Sequence, residues 1–270
     1  QLPNSSRIIV LTVINVEHWN IERPMPRSVL PPPHGATVVP DIPNWSWHEY
    51  GLRVGFWRIK HLLDRHNIRA TLALNASVCT KYPQIIAGAQ SSGWEFMGHG
   101  LTQIAAQSID DESDMIKETL STIETLTGHA PRGWLGPGLQ ETWETPDLLA
   151  QNGIEYVCDF VADDQPFEMS TNFSPLLAVP YTLEINDSPL FMVQHHQAEE
   201  FFNRARDQFD RLYQEGAESA RIMTIALHPH LMGAAHRIKY LEMVYEYINS
   251  HDKVLHWTGS EILDWYRSPQ

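Results

Sequence analysis

Arg7-Ile8-Ile9-Val10-Leu11-Thr12-Val13-Ile14 is an almost unbroken apolar, largely β-branched run. That pattern predicts a strand buried on both faces, as in a parallel sheet. Residues 20–46 then carry Pro24, Pro26, Pro31, Pro32, Pro33, Pro40 and Pro43. Such proline density sustains neither a helix nor a central strand, so residues 15–46 read as one long loop, of a kind that is commonly functional. Ser46 is the expected cap of a helix in which Tyr50, Val54, Trp57 and Leu62-Leu63 recur at helical spacing.

The alternation continues to the far end of the chain. Strands are expected at 70–74, 94–97, 132–135, 154–158, 176–183, 190–193, 221–227 and 254–257. Helices are expected at 83–90, 110–126, 146–151, 198–213 and 236–248, with a last one opened near Thr258 and Ser260. Acidic residues in the first turn of 110–126 and Gly128 beyond its end fit a helix dipole and a C-cap. About seven βα units predict an α/β fold: a distorted parallel (β/α) barrel of about seven strands, spanning residues 1–270 as a single domain.

Composition narrows the partners. The formal charge of −14 disfavours a nucleic-acid backbone, which needs clustered Lys and Arg. No apolar run reaches the roughly 18 residues of a membrane helix. A small-molecule substrate is therefore expected, with neither nucleic acid nor membrane as partner. Cys79 and Cys158 match no redox or zinc spacing and read as buried apolar residues. Asn75-Ala76-Ser77 fits a glycosylation triplet that is common by chance. No charged segment followed by an apolar stretch opens the chain, yet Gln1 is not an initiator methionine. The compartment is left open, with the cytoplasm favoured.

In parallel barrels reactive groups sit where strands end. Four strands here end in polar residues: Asn15-Val16-Glu17-His18, Gly98-His99, Asp159 and His228-Pro229-His230. A single strand-end histidine is ordinarily structural. Several converging on one mouth are costly to bury without a purpose, and they point to a site.

These residues carry a resemblance. The chain resembles the polysaccharide deacetylase superfamily, and most of all its amidohydrolase-like branch, which contains allantoinases and certain peptidoglycan deacetylases. The landmarks, in order from about Ile8 to Trp265, are Asn15-Val16-Glu17, Gly93-Trp94-Glu95, His99-Gly100-Leu101-Thr102-Gln103, Gly133-Trp134-Leu135-Gly136-Pro137, Asp163-Asp164-Gln165-Pro166 and Ile225-Ala226-Leu227-His228-Pro229. The resemblance implies a polysaccharide deacetylase-like barrel and cleavage of a C–N bond.

Metal-dependent relatives end the first strand in two carboxylates and follow with His-x-x-x-His. Here Asn15 stands at the base-like position, Glu17 at the ligand-like one, and His99 is followed by Gln103. Glutamine binds a transition ion poorly beside imidazole. The resemblance implies Glu17, His228, His99 and Asn15 as catalytic residues, His228 being the acid toward the leaving group. Two readings follow: a residual, weakly bound zinc-like divalent ion held by Glu17, His18 and His99, or no metal, with Glu17 as general base on water. Trp134, Asp163, Asp164 and His230 are candidate substrate contacts, and Trp19, Trp45 and Trp47 a candidate aromatic wall.

The expected activity is hydrolysis of a non-peptide C–N bond in a small amide, cyclic imide or ureide. The alternatives are N-deacetylation of an amino sugar and a non-catalytic binding protein retaining the fold. Because relatives of this branch are commonly oligomers, a homodimer or homotetramer is expected, with aromatic residues of the carboxy-terminal helices as contacts.

Overall fold

In the computed structural model, which describes residues 2–268, the first apolar run is strand β1, Ile8–Val16, buried along its whole length. Its side chains divide by parity, as a pleat requires. Ile8, Val10, Ile14 and Val16 join one apolar cluster, while Ile9, Leu11 and Val13 join another across the sheet. Burying each such side chain is worth about 1.5–3 kcal/mol, so β1 is a firm support for the polar residues at its end.

The remaining strands are β2 (Thr71–Leu74), β3 (Glu95–Gly98), β4 (Gly133–Trp134), β5 (Tyr156–Val157), β6 (Phe167–Met169), β7 (Leu176–Ala178), β8 (Arg221–Leu227) and β9 (Val254–His256). The order across the sheet is β6-β7-β5-β4-β3-β2-β1-β8, with β9 also on β1. Every pairing is parallel except β6 with β7. β9 flanks the start of β1 (Ile8↔Val254) and β2 its end (Val16↔Leu74). Beyond β7 the irregular chain reaches the outer side of β8 through the bridge Asn186↔Ala226. The result is the expected α/β architecture, a curled, mostly parallel sheet forming a distorted barrel.

Nine helices surround it among the described residues: α1 (Ile42–Tyr50), α2 (Phe56–Arg65), α3 (Ala76–Lys81), α4 (Pro83–Ser91), α5 (Glu112–Thr127), α6 (Thr145–Gln151), α7 (Ala198–Glu215), α8 (Ile238–Asn249) and α9 (Gly259–Arg267). None is long and apolar enough to cross a membrane. Cys79 and Cys158 are buried and free.

Three local expectations are corrected. The helix after the proline-rich loop opens at Ile42, not Ser46, because Asp41 caps it by accepting from Asn44 N at 3.3 Å and Pro43 sits in the first turn, where no N–H is needed. The strand expected over 176–183 stops at Ala178, before Pro180, which has no N–H for a ladder. Residues 190–193 are not a strand: Pro189–Val193 coil into a wide helical turn, preceded by the Asx-type contact of Ser188 N with Asn186 Oδ1 at 3.1 Å.

Candidate active site

The parallel registers Ile14↔Leu227, Val16↔Leu74 and Leu74↔Gly98 bring the ends of β8, β1, β2 and β3 to one edge. Glu17, His99 and His228, each the first residue beyond its strand, therefore converge. Glu17 Oε1 lies 3.5 Å from His228 Nε2 and 3.8 Å from His99 Nε2. The same oxygen accepts from Gln103 Nε2 at 2.9 Å, and Oε2 accepts from Trp19 Nε1 at 3.2 Å. Burial alone raises the Glu17 pKa, but the attraction of His228, aided by His99, holds it well below the ordinary carboxylate range.

His228 is gripped from behind by Asp187, which is fully buried. Its Nδ1 lies 2.7 Å from Asp187 Oδ1, and Asp187 also accepts the main-chain N–H groups of His228 at 2.8 Å and Met232 at 3.1 Å. Burial favours the neutral ring, yet the two carboxylates, Asp187 first and Glu17 second, outweigh it and push the pKa up to about 10. His228 is an imidazolium at neutral pH. His99 is held by a carbonyl instead. Its Nδ1 donates to Leu135 O, an atom that only accepts, and among the described residues the buried Nε2 has no hydrogen-bond partner.

Asn15 does not touch Glu17. Its Nδ2 donates to Tyr181 Oη at 3.0 Å and to Leu227 O at 3.3 Å. The cavity above these groups has a volume of about 380 Å³, and Trp19, Pro26, Arg27, His48, Tyr181 and His230 are among its walls. The proline-rich loop thus contributes directly. It is fastened by the buried amide of Asn44, whose Oδ1 accepts from Val29 N at 2.8 Å and Leu30 N at 3.2 Å while Nδ2 donates to Leu30 O at 3.0 Å.

Other candidates fall elsewhere. His18 turns onto α3, with Nδ1 3.0 Å from Ser77 Oγ and Nε2 2.9 Å from Lys81 Nζ. Burial, then the Lys81 charge, lowers its pKa to about 4. Its lone pair is engaged by an ammonium group, and it does not join Glu17 and His99. Trp134 faces outward into the cluster of Met115, Ile116 and Leu149, its ring pressed so closely on β3 that a Cβ at Gly98 would lie 2.6 Å from Cε3. It is a core indole, because strand residues alternate faces and the next one, Leu135, takes the cavity side. Asp163 and Asp164 line a separate surface hollow beside Gln208 and Arg211, where the loop after β5 runs toward α7. His230 does line the same cavity as Glu17, His99 and His228, edge-on to Trp47 at 4.7 Å. Asn75 is wholly buried, so its triplet offers no glycosylation site on the folded chain.

The donor set does not fit a divalent transition ion. Asn75 Nδ2 donates to Gln103 Oε1 at 3.1 Å, which fixes the amide so that its NH₂ faces Glu17. An N–H donor therefore occupies the side of Glu17 where a third lone pair is needed. Among the described residues no three of His, Cys, Asp and Glu are arranged to hold an ion.

Asp187, His48, Tyr181 and Arg27 were not singled out in the sequence. Asp187 lies 41 residues before His228 in a segment that reads as a turn, and nothing local marks it.

The family model of the polysaccharide deacetylases matches residues 48–157. A Schizosaccharomyces pombe protein assigned to the polysaccharide deacetylases is 30% identical, the match covering 96% of this chain and 90% of that protein. The crystal structure of PuuE allantoinase superposes with a TM-score of 0.91 at 29% identity, covering 100% of this chain and 94% of the other. A Pseudomonas aeruginosa PAO1 structure assigned as a polysaccharide deacetylase gives 0.90 at 31% identity, covering 99% and 93%.

Proposed function

The chain belongs to the polysaccharide deacetylase family, and on that premise we propose that it hydrolyses a non-peptide C–N bond in a small amide, cyclic imide or ureide. The observation that carries this reading is Glu17 Oε1, an ionised carboxylate between the protonated His228 at 3.5 Å and His99 Nε2 at 3.8 Å, a nitrogen with no hydrogen-bond partner among the described residues. The likeness to an allantoinase over the full chain points the same way.

In this reading a water held between Glu17 and His99 Nε2 attacks the substrate carbonyl and gives its proton to Glu17. Tyr181 Oη accepts from Asn15 Nδ2 at 3.0 Å and donates to Asn15 Oδ1 only at 3.5 Å, a long bond that its proton exchanges for the developing oxyanion. His228 then donates from Nε2 to the departing nitrogen, the C–N bond breaks, and Asp187 keeps the ring oriented throughout. The two proton transfers are linked. Once Glu17 is protonated, one of the two anions raising the His228 pKa has vanished, and the imidazolium becomes a stronger acid as the leaving group needs it.

The test is a panel of succinimide, hydantoin, allantoin, simple amides and N-acetylated chito-oligosaccharides, offered to chelator-treated enzyme. Turnover of an imide, ureide or amide is expected. Turnover confined to the acetylated oligosaccharides and dependent on added zinc would replace this reading with amino-sugar deacetylation.

A further inference from the structure

The cavity wall carries an imidazole that the proposed reaction leaves unused. His48, on α1, is only 6% exposed and borders the same space as Glu17 and His228. Its Nδ1 donates to Asn44 O at 2.8 Å, and because a carbonyl only accepts, the neutral ring must carry its lone pair on Nε2. Among the described residues Nε2 makes no hydrogen bond. Burial is the chief cause that lowers the His48 pKa, with the charges of His228 and Arg27 adding to it against the Asn44 carbonyl and Glu17. The ring is wedged between Trp19 at 5.0 Å, Trp47 at 5.1 Å and His230 at 4.5 Å, which fixes the direction of that lone pair.

A complementary donor stands in the same cavity. Arg27 reaches it from the proline-rich loop, donates to Ser188 Oγ, and forms no ion pair among the described residues. Arg27 is an exposed residue on the rim of that cavity, and its N–H groups not spent on Ser188 are donors that an entering ligand can take over from solvent.

We infer that His48 Nε2 accepts the N–H of a –CO–NH–CO– unit while Arg27 donates to one of its carbonyl oxygens, so that the cavity selects cyclic imides and ureides with a free N–H. This rests on the hydrolase reading above and deepens it. His48 is a specificity-determining residue: its lone pair binds the substrate, and the bond-breaking steps belong to Glu17 and His228. An N-methylated ring leaves the lone pair unpaired in a buried wall, a loss that is ordinarily about tenfold or more.

The experiment compares succinimide with N-methylsuccinimide, in full steady-state kinetics, for the wild-type chain, His48→Ala and His48→Gln. Wild type is expected to prefer succinimide by about tenfold or more in kcat/KM. His48→Ala removes the acceptor and opens space for the methyl group, so the preference should collapse, chiefly through KM. His48→Gln keeps an acceptor and should restore part of it. If His48→Ala does not fold by circular dichroism, His48→Phe carries the same comparison. Succinimide turnover with the preference unchanged in the variant lacking the acceptor overturns this inference alone. Absence of wild-type turnover on every imide, ureide and amide overturns the hydrolase reading with it.

Discussion

Asp187 holds His228 at two points, the ring Nδ1 at 2.7 Å and the main-chain N–H at 2.8 Å. One carboxylate therefore fixes both where the imidazole stands and how tightly it keeps its proton. Asp187→Asn preserves the shape and removes the charge. The alkaline limb of the pH–rate profile should move to lower pH, because His228 then loses its proton sooner, and kcat should fall by at least about tenfold. An unmoved limb would show that Asp187 is merely structural.

Glu17→Gln and His228→Ala should each lower turnover by about 10²- to 10⁴-fold, the usual cost of removing a general base or acid. Both variants should remain folded by circular dichroism, since the two side chains face a cavity rather than the core. Near wild-type turnover in both would sink the proposed acid–base pair.

The His228 pKa is raised from 6.5 to about 10, so its charge pairing contributes stability that is fully present below pH 6.5 and is lost as pH rises through about 10. Glu17 is depressed below its ordinary 4.5, so its contribution is present above pH 4.5 and lost on acidification. Melting temperature should thus decline on the alkaline side between pH 6.5 and 10. His228→Gln should flatten that decline, and a parallel slope in both proteins would count against it.

Dialysis against a strong chelator should leave turnover unchanged. The reason is the Gln103 amide, locked by Asn75 with its NH₂ toward Glu17. Elemental analysis alongside the assay supplies the check: stoichiometric zinc whose removal abolishes activity would mean that the amide turns over to admit an ion.

Gly98→Ala should destabilise the chain by about 1–3 kcal/mol through overpacking, since the new Cβ would meet the Trp134 ring at 2.6 Å. Thermal denaturation measures it. Activity should drop as well, because any shift of β3 is passed to His99, the next residue.

The barrel and the mouth were legible in the sequence because they depend on periodicity. The apolar run of β1 announces a strand buried on both faces, and parallel strands must deliver Glu17, His99 and His228 to the same edge. Side-chain direction was not legible. His18 follows Glu17 immediately and still turns to Lys81, and Trp134 faces away from the mouth that Leu135 borders. Nor was the support of His228, since Asp187 comes from an irregular segment whose partner is set only by tertiary folding.

Asn44 binds Val29 and Leu30 through one buried amide, two residues beyond the point where Arg27 enters the cavity. The roof of the site is thereby riveted to α1 rather than woven into the barrel. Its cavity-facing residues are free to drift without taxing the scaffold, while the chemistry below stays constant. A lineage keeping the rivet and exchanging the roof would acquire new substrates stepwise, each intermediate still folded, and residue 44 would be the fixed point around which that diversification turns.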